Sequence, residues 1–556
     1  MQPRPGRDAP ANLTDYAAER ASFRLEPPEL FNPVIDILQA WALDEPEAPA
    51  LVSLAGDGSE VARHSTYQLL DLAQRAAHGF DAMGIAKGDR VFVMLPRVPA
   101  WYVAVLGLIR LGAVPMPGPN LLTPRDVAYR IGRADAVAAI TDTAGAAKVD
   151  EVLAELPTVK YRICWSFSET VPGGWESLNA LVAAHDGRGL VPAPTAADDP
   201  MLIYFTSGTV AYPKMVLHTQ ASYGLGHVVT ARYWQDLRPG DVHWTLSDTG
   251  WAKAAWGKLF GQWQQRATVL QMDMVKPSAD VILRTIAEQQ VTSFCAPPTL
   301  YRMLVLADLA RYDLTSLRHC TSAGEPLNPE VIRVWREGTG GLTVYDGYGQ
   351  TETVNMVANY RAVSVKPGSM GRPAPGWDVD IVDDDGAPLP PGQVGNIAVR
   401  VGEGHPLGLF AGYYRDDEAT HDAFRGGWYF TGDKASKDDD GYLWFEGRAD
   451  DVITSAAYRI GPFEVESALV EHPAVAEAAV VGKDDPERTQ LVVAFCVLAP
   501  GRSGSAELTR ELQEHVKTVT APYKYPREIY YVDELPKTVS GKIRRTELRD
   551  ELRGRA

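Results

Sequence analysis

From about Leu38 to Leu300, stretches with apolar residues at helical spacing alternate with short continuous apolar runs. Arg90-Val-Phe-Val-Met-Leu95, followed by the helix-like Trp101 to Leu111, is one such pair. Strand-length apolar runs between helices predict an α/β fold with largely parallel strands. From Gly376 to Arg400 the pattern changes to alternating runs such as Asn396-Ile-Ala-Val-Arg400, separated by Asp-Gly and Pro-Pro-Gly turns. That pattern predicts β-hairpins, a β-rich end to a large domain. After Asp451 come strand-like runs at Ala476 to Val481 and Leu491 to Leu498, an amphipathic helix from Ser505 to Val519, and a short strand at Ile529 to Val532. Together they predict a small α+β domain of roughly 100 residues. The expected division is 1–449 for the large domain and 450–556 for the small one.

Composition narrows the function. The 556 residues are 45% hydrophobic and 22% charged, enough to bury several cores. With 54 basic against 71 acidic side chains the formal charge is -17, which argues against general attraction to nucleic acid or to an anionic membrane. Any phosphate must therefore be held locally. Cys164, Cys295, Cys320 and Cys496 are far apart and form no C-x-x-C pair, which argues against a disulfide framework and a thiolate metal site and fits a reducing cytoplasm. No apolar core follows the charges of Met1 to Leu13, and the best apolar run, Trp101 to Pro117, is interrupted by Arg110. Neither a signal peptide nor a membrane span is expected.

The candidate chemistry begins behind the apolar strand Met201 to Phe205, at Thr206-Ser-Gly-Thr-Val-Ala-Tyr-Pro-Lys214. Such a loop can wrap backbone N–H groups, hydroxyls and one cation around a polyphosphate, although a Ser/Thr/Gly cluster alone is more often an ordinary turn. Walker spacing is absent. The segment resembles the Thr-Ser-Gly-Thr-(Thr/Ser)-Gly-x-Pro-Lys signature of adenylate-forming enzymes, and six further stretches follow in that family's order. They are Leu246-Ser-Asp-Thr-Gly-Trp251, Thr321-Ser-Ala-Gly-Glu-Pro326, Asp346-Gly-Tyr-Gly-Gln-Thr-Glu352, Tyr429-Phe-Thr-Gly-Asp433, Gly447-Arg-Ala-Asp450 and Pro536-Lys-Thr-Val-Ser-Gly-Lys542. Ser455-Ala-Ala-Tyr-Arg-Ile-Gly-Pro462 and Thr520-Ala-Pro-Tyr-Lys-Tyr-Pro526 look most like the medium-chain and benzoate CoA ligase branch. The resemblance implies a ligase that joins a carboxylic acid to coenzyme A through an acyl-adenylate, using ATP and Mg²⁺. Its fold would be a large domain followed by a small mobile one.

The resemblance also assigns residues. Thr206, Ser207, Gly208, Thr209 and Lys214 would grip the phosphates. Thr351 would bond the α-phosphate, and Glu352 would hold Mg²⁺, a hard cation that wants oxygen ligands. By itself a Thr-Glu pair is most often a helix start with Thr as N-cap. Gly324, Glu325 and Pro326, with Asp346, Gly347 and Tyr348, correspond to the adenine pocket, although Gly-Glu-Pro alone is merely a turn. Asp433 and Arg448 would meet the ribose. Asp450 matches the hinge, whereas in isolation Arg448 and Asp450 read as a surface pair of little consequence. Lys542 corresponds to the adenylation lysine; a terminal lysine near Arg544 and Arg545 is otherwise just solvated. Ala456, Ala457, Arg459, Arg488, Lys517 and Tyr525 are candidates for contact with CoA. Trp251, Ala254 and Gly257 are candidates for the acyl pocket and suggest a bulky apolar or ring-bearing acid. Trp256 and Trp263 are as readily core.

Two family positions are altered. Val210-Ala211 stands where the family has Thr-Gly or Ser-Gly, and Ala456-Ala457 where it has Ser-Gly. Val210 lacks a hydroxyl worth about 1.5 to 3 kcal/mol against a charged phosphate. Ala211 adds a Cβ costing on the order of 1 kcal/mol where positive φ is needed. Together they would slow adenylation by about 10² to 10³-fold. The pattern resembles the non-adenylating acyl-CoA ligase of platensimycin and platencin biosynthesis, which would imply antibiotic biosynthesis, thioester formation as the secure half-reaction and a separate adenylating enzyme as partner. A conventional two-step ligase for a medium-chain or aryl acid, and a degenerate protein that only binds nucleotide or CoA, are the rival readings. The acid and the oligomeric state are not legible.

Overall fold

The computed structural model describes residues 6–555 except 169, 207–212, 403–404, 449–450, 456–457, 486–487, 521 and 539–541. A five-stranded, wholly parallel sheet runs in the order Val114–Pro117, Arg90–Met94, Ala138–Asp142, Tyr161–Trp165, Glu176–Ser177. Its strand Arg90–Met94 feeds the helix Pro99–Leu111, which ends where Gly112 takes φ +83°, a left-handed conformation that favours glycine. Arg110 on that helix is buried and donates to Gln39 Oε1 at 3.0 Å, which places the apolar run in the core. Among the described residues no helix is long and apolar enough to cross a membrane.

A second sheet has nine strands. Its central strands, Val344–Tyr348, His319–Ala323, Ser293–Ala296, Val242–Thr245, Thr268–Met272 and Pro49–Leu54, are parallel neighbours. The expectation of largely parallel strands fails for Pro200–Phe205, which pairs antiparallel with Met215–Thr219 and through it with Gly412–Tyr413. The connection over 206–214 is shorter than the dozen or more residues a parallel crossover needs. Downstream, Val379–Val382 and Val394–Arg400 pair antiparallel as expected, and Trp428–Lys437 and Leu443–Arg448 extend that sheet antiparallel beyond the stretch the pattern marked.

The small domain follows its predicted pattern closely. Val475–Asp485 and Thr489–Leu498 form a long antiparallel pair, with Glu528–Tyr531 added in parallel. The helix Ala506–Val519 is capped by Ser505, whose side chain accepts from Leu508 N at 3.0 Å. The charged N-terminal segment packs on the large domain: the Arg7 guanidinium donates to the carbonyls of Leu314, Leu317 and Thr339 at 2.6, 2.9 and 3.1 Å.

Candidate active site

A cleft of about 780 Å³ collects Thr206, Lys214, Gly324, Glu325, Pro326, Asp346, Gly347, Tyr348, Thr351, Glu352, Asp433 and Arg448 from the large domain. Lys542 of the small domain lines the same cleft. Residues scattered over more than three hundred positions thus meet, Gly324 and Gly349 just beyond the carboxyl ends of the parallel strands His319–Ala323 and Val344–Tyr348, where open α/β sheets bind ligands.

The two ends of the candidate phosphate loop, Thr206 and Lys214, are tied together. Thr206 N donates to Lys214 O and Lys214 N to Thr206 Oγ1, both at 3.0 Å. Ser207, Gly208, Thr209, Val210 and Ala211 lie outside the described residues, as do Asp450, Ala456, Ala457 and the side chain of Arg459. Lys214 holds its ammonium 4.5 Å from the ring centre of Tyr413. The Tyr413 hydroxyl in turn donates to Glu352 Oε1 at 2.9 Å. Burial pushes the Glu352 carboxyl above its ordinary range, and the Tyr413 bond pulls partly the other way.

The strand Val344–Tyr348 delivers Asp346, Gly347 and Tyr348 into the cleft. A Cβ on Gly347 would fall 2.7 Å from Trp234 Cε2, and one on Gly349 would fall 2.5 Å from the Trp256 ring. Glycine is therefore required there, and Trp256, one of the two ambiguous tryptophans, forms a buried floor beneath the turn. Trp263 is core as well, with its indole N–H on Ala50 O at 3.1 Å. No helix starts at Thr351 and Glu352; residues 351–354 are turn and bend.

Asp433 Oδ2 accepts from the Tyr348 hydroxyl at 2.6 Å and from Gln350 Nε2 at 2.7 Å. The Tyr429 hydroxyl orients that amide by donating to Gln350 Oε1 at 2.9 Å. Arg448 faces Asp433 directly across the Trp428–Lys437 and Leu443–Arg448 strands. Burial raises the Asp433 carboxyl, offset in part by Arg448 and Lys542. Sequence reasoning assigned no role to Gln350, Tyr413 or Tyr429. Gln350 and Tyr429 stood inside quoted motifs, but nothing local marks Tyr413.

Asp346 is buried, and this pushes its carboxyl up to about 7 despite bonds from Leu327 N at 3.3 Å and Gly347 N at 3.0 Å. A carboxyl raised on folding contributes stability that is complete below its ordinary value and is lost as pH rises through about 7. The thermal midpoint of the nucleotide-free protein is accordingly expected to fall between pH 6 and pH 8. Asp346→Asn should flatten that slope. An unchanged slope in the variant would mean that Asp346 is already ionised throughout.

The acyl-pocket expectation fares differently. Trp251, Ala254 and Gly257 are not among the described residues lining the cleft. Ala254 is fully buried, and a Cβ on Gly257 would fall 1.9 Å from Thr245 Oγ1, so this glycine lets the helix Lys253–Lys258 lie close on the strand Val242–Thr245. From the same helix Lys253 reaches the Ala323 carbonyl, beside Gly324 on the cleft wall. Arg488, Lys517 and Tyr525 also lie off the cleft. The Lys517 ammonium is 2.6 Å from Glu514 and 4.2 Å from the ring centre of Tyr525, whose ring the Arg527 guanidinium also approaches at 4.2 Å. Asp451, next to the expected hinge, is held by Arg549 at 2.7 Å and Arg545 at 3.8 Å.

Among the described residues no group of three side chains forms a metal cage. Glu352, one of the buried carboxylates that line the cleft, fits Mg²⁺, which is commonly bound by one or two carboxylates together with substrate phosphates.

Residues 38–414 match the family described as AMP-binding enzyme, and residues 464–542 match the AMP-binding enzyme C-terminal domain. The Mus musculus protein named acyl-coenzyme A synthetase ACSM3, mitochondrial, is 45% identical over 549 residues, 97% of this chain and 94% of that protein. The crystal structure of the anthranilate CoA ligase AuaEII in complex with anthranoyl-AMP is similar at a TM-score of 0.86 and 30% identity, over 95% of this chain and 98% of that one. A benzoate CoA ligase from Burkholderia xenovorans LB400 is similar at a TM-score of 0.80 and 29% identity, over 94% of this chain and all (100%) of that one.

Proposed function

Because the chain belongs to the AMP-binding enzyme family and is an acid–thiol ligase of the acyl-CoA synthetase type, we propose that it carries out both half-reactions itself. In the first, a carboxylate oxygen attacks the α-phosphate of ATP and pyrophosphate leaves. In the second, the CoA thiolate attacks the acyl carbonyl and AMP leaves.

The observation that carries this reading is the presence of Lys542 in one cleft with Thr351, Glu352, Asp433 and Arg448. In the proposed division of labour Lys542 meets the charge developing at the α-phosphate, Thr351 bonds a non-bridging oxygen, and Asp433 with Arg448 takes the ribose. Glu352 would hold Mg²⁺, which when bound neutralises phosphate charge. Gly324, Glu325, Pro326, Asp346, Gly347 and Tyr348 surround the base. Arg488, Lys517 and Tyr525 would reach CoA only after the small domain turns, with Asp450 proposed as the hinge.

Impaired adenylation finds no support: a protein 45% identical over 97% of the chain carries the plain name acyl-coenzyme A synthetase. The two-step reading is therefore preferred, and a separate adenylating enzyme is not required. For the acid, the likeness to anthranilate and benzoate ligases supports a ring-bearing or apolar one.

The test is acid-dependent ATP–pyrophosphate exchange by the purified protein, with straight-chain acids, benzoate and 2-aminobenzoate. Exchange at least about tenfold above the acid-free background, and thioester once CoA is added, is expected. No exchange with any acid, alongside thioester from supplied acyl-adenylates, would restore the thioesterification-only reading. Failure of both would sink the assignment.

A further inference from the structure

Resting on the two-step reading, the geometry points to His218 as a positioning residue that fixes the Thr351–Glu352 turn against the α-phosphate through the Thr351 carbonyl. His218 lies on the strand Met215–Thr219, four residues beyond Lys214, and is fully buried. Its Nε2 stands 2.8 Å from Thr351 O. A carbonyl only accepts, so Nε2 carries the proton. Burial drives the imidazole down to about 3, so the ring is neutral and its bare Nδ1 accepts from Ser222 Oγ at 3.3 Å. The ring stacks on Tyr223 at 3.6 Å and 20°, which fixes its plane. The Tyr223 hydroxyl is a longer second donor to Thr351 O, at 3.4 Å.

The turn needs such an anchor. Residues 351–354 lie in neither helix nor strand, so a few single bonds rather than a ladder hold them. Thr353 N donates to Gln350 O and Val354 N to Gly408 O, both at 3.2 Å, while Glu352 O accepts from Phe410 N and Gln350 N donates to Thr353 Oγ1, both at 2.8 Å; these bonds close the turn but none of them meets the Thr351 carbonyl. The imidazole sets where the Thr351 peptide sits, and with it the direction of the threonine hydroxyl and the glutamate carboxylate. A displacement of about 1 Å in such groups can cost about 10²-fold in rate.

The prediction has a signature that simple destabilisation lacks. The α-phosphate is present in both half-reactions, as ATP and then as acyl-adenylate. His218→Phe keeps the ring, the stack and nearly the volume but removes the N–H. It is expected to lower the saturating rates of acid-dependent ATP–pyrophosphate exchange and of thioester formation from supplied acyl-adenylate by similar factors, at least about tenfold each, with the KM for CoA within about twofold. A second variant without the donor, His218→Met, should match it, which guards against a folding defect peculiar to one side chain. His218→Gln restores a donor and should recover most of both losses. Exchange by the native protein tests the two-step reading separately. With that exchange present, variants lacking the donor that stay within twofold of wild type, or a glutamine variant as slow as the phenylalanine one at an equal thermal midpoint, would overturn the role of His218.

Discussion

Lys542→Ala is expected to slow acid-dependent ATP–pyrophosphate exchange by about 10³-fold while leaving thioester formation from a supplied acyl-adenylate within about threefold. The lysine is exposed on the small domain, where Thr538 N donates to Lys542 O at 2.7 Å and Lys542 N to Thr538 Oγ1 at 3.1 Å. Those bonds fix the backbone and leave the side chain to enter the cleft. Its positive charge already reaches Asp433, whose carboxyl it holds lower than burial alone would. As the carboxylate attacks, negative charge gathers on the α-phosphate oxygens, and a preorganised donor aimed there typically supplies about 10² to 10³ in rate. Attack by the thiolate on an acyl carbonyl has no such demand at phosphorus, so the second half-reaction should survive. Lys542→Arg should retain part of the exchange, since charge is kept but the planar fork does not reproduce a compact ammonium. Equal losses in both half-reactions would show that Lys542 acts through the stability or docking of the small domain and not on adenylation.

The sequence carried the parts of this site that are written locally. Alternation and turn residues placed the hairpins after Gly376 and both long strands of the small domain to within a few residues of Val475–Asp485 and Thr489–Leu498. Ordered motifs placed thirteen described candidates, from Thr206 to Lys542, around one cleft. What remained hidden is non-local. Tyr413 bonds Glu352 from sixty-one positions away, and His218 bonds Thr351 from 133 away, with no periodicity or spacing that could announce either. The antiparallel turn-back after Phe205 was hidden as well, because an apolar run of five residues reads alike in a parallel or an antiparallel sheet. Small residues in the candidate acyl-pocket segment suggested room for substrate; in the structure Gly257 lets its helix lie close on a neighbouring strand, a packing role the sequence did not announce, and Lys253 turns toward Gly324.

Asp433→Ala should weaken both half-reactions, by about 10² to 10³-fold in kcat/KM for ATP and for acyl-adenylate alike. In the proposed role two charge-assisted bonds to ribose hydroxyls would be lost, each worth about 1.5 to 3 kcal/mol, and the partial loss of additivity between them sets the lower end. Removing the carboxylate also strands donors that the fold has aimed at it: the Tyr348 hydroxyl at 2.6 Å and the Gln350 amide at 2.7 Å. Asp433→Asn keeps an acceptor for one of them and should lose less. The wild-type pH profile offers an independent check. Burial raises the Asp433 and Glu352 carboxyls, so each takes up its proton at a higher pH than an exposed carboxylate would. Since both are needed ionised, kcat/KM for ATP should fall as pH drops through this raised range, giving an acid limb above the ordinary carboxylate region. Bound cation would draw the Glu352 limb down, so raising the Mg²⁺ concentration should shift part of that limb to lower pH and leave the Asp433 part in place. An acid limb at the ordinary carboxylate value, unmoved by Mg²⁺, would mean that neither carboxyl titrates in the free enzyme as its burial requires.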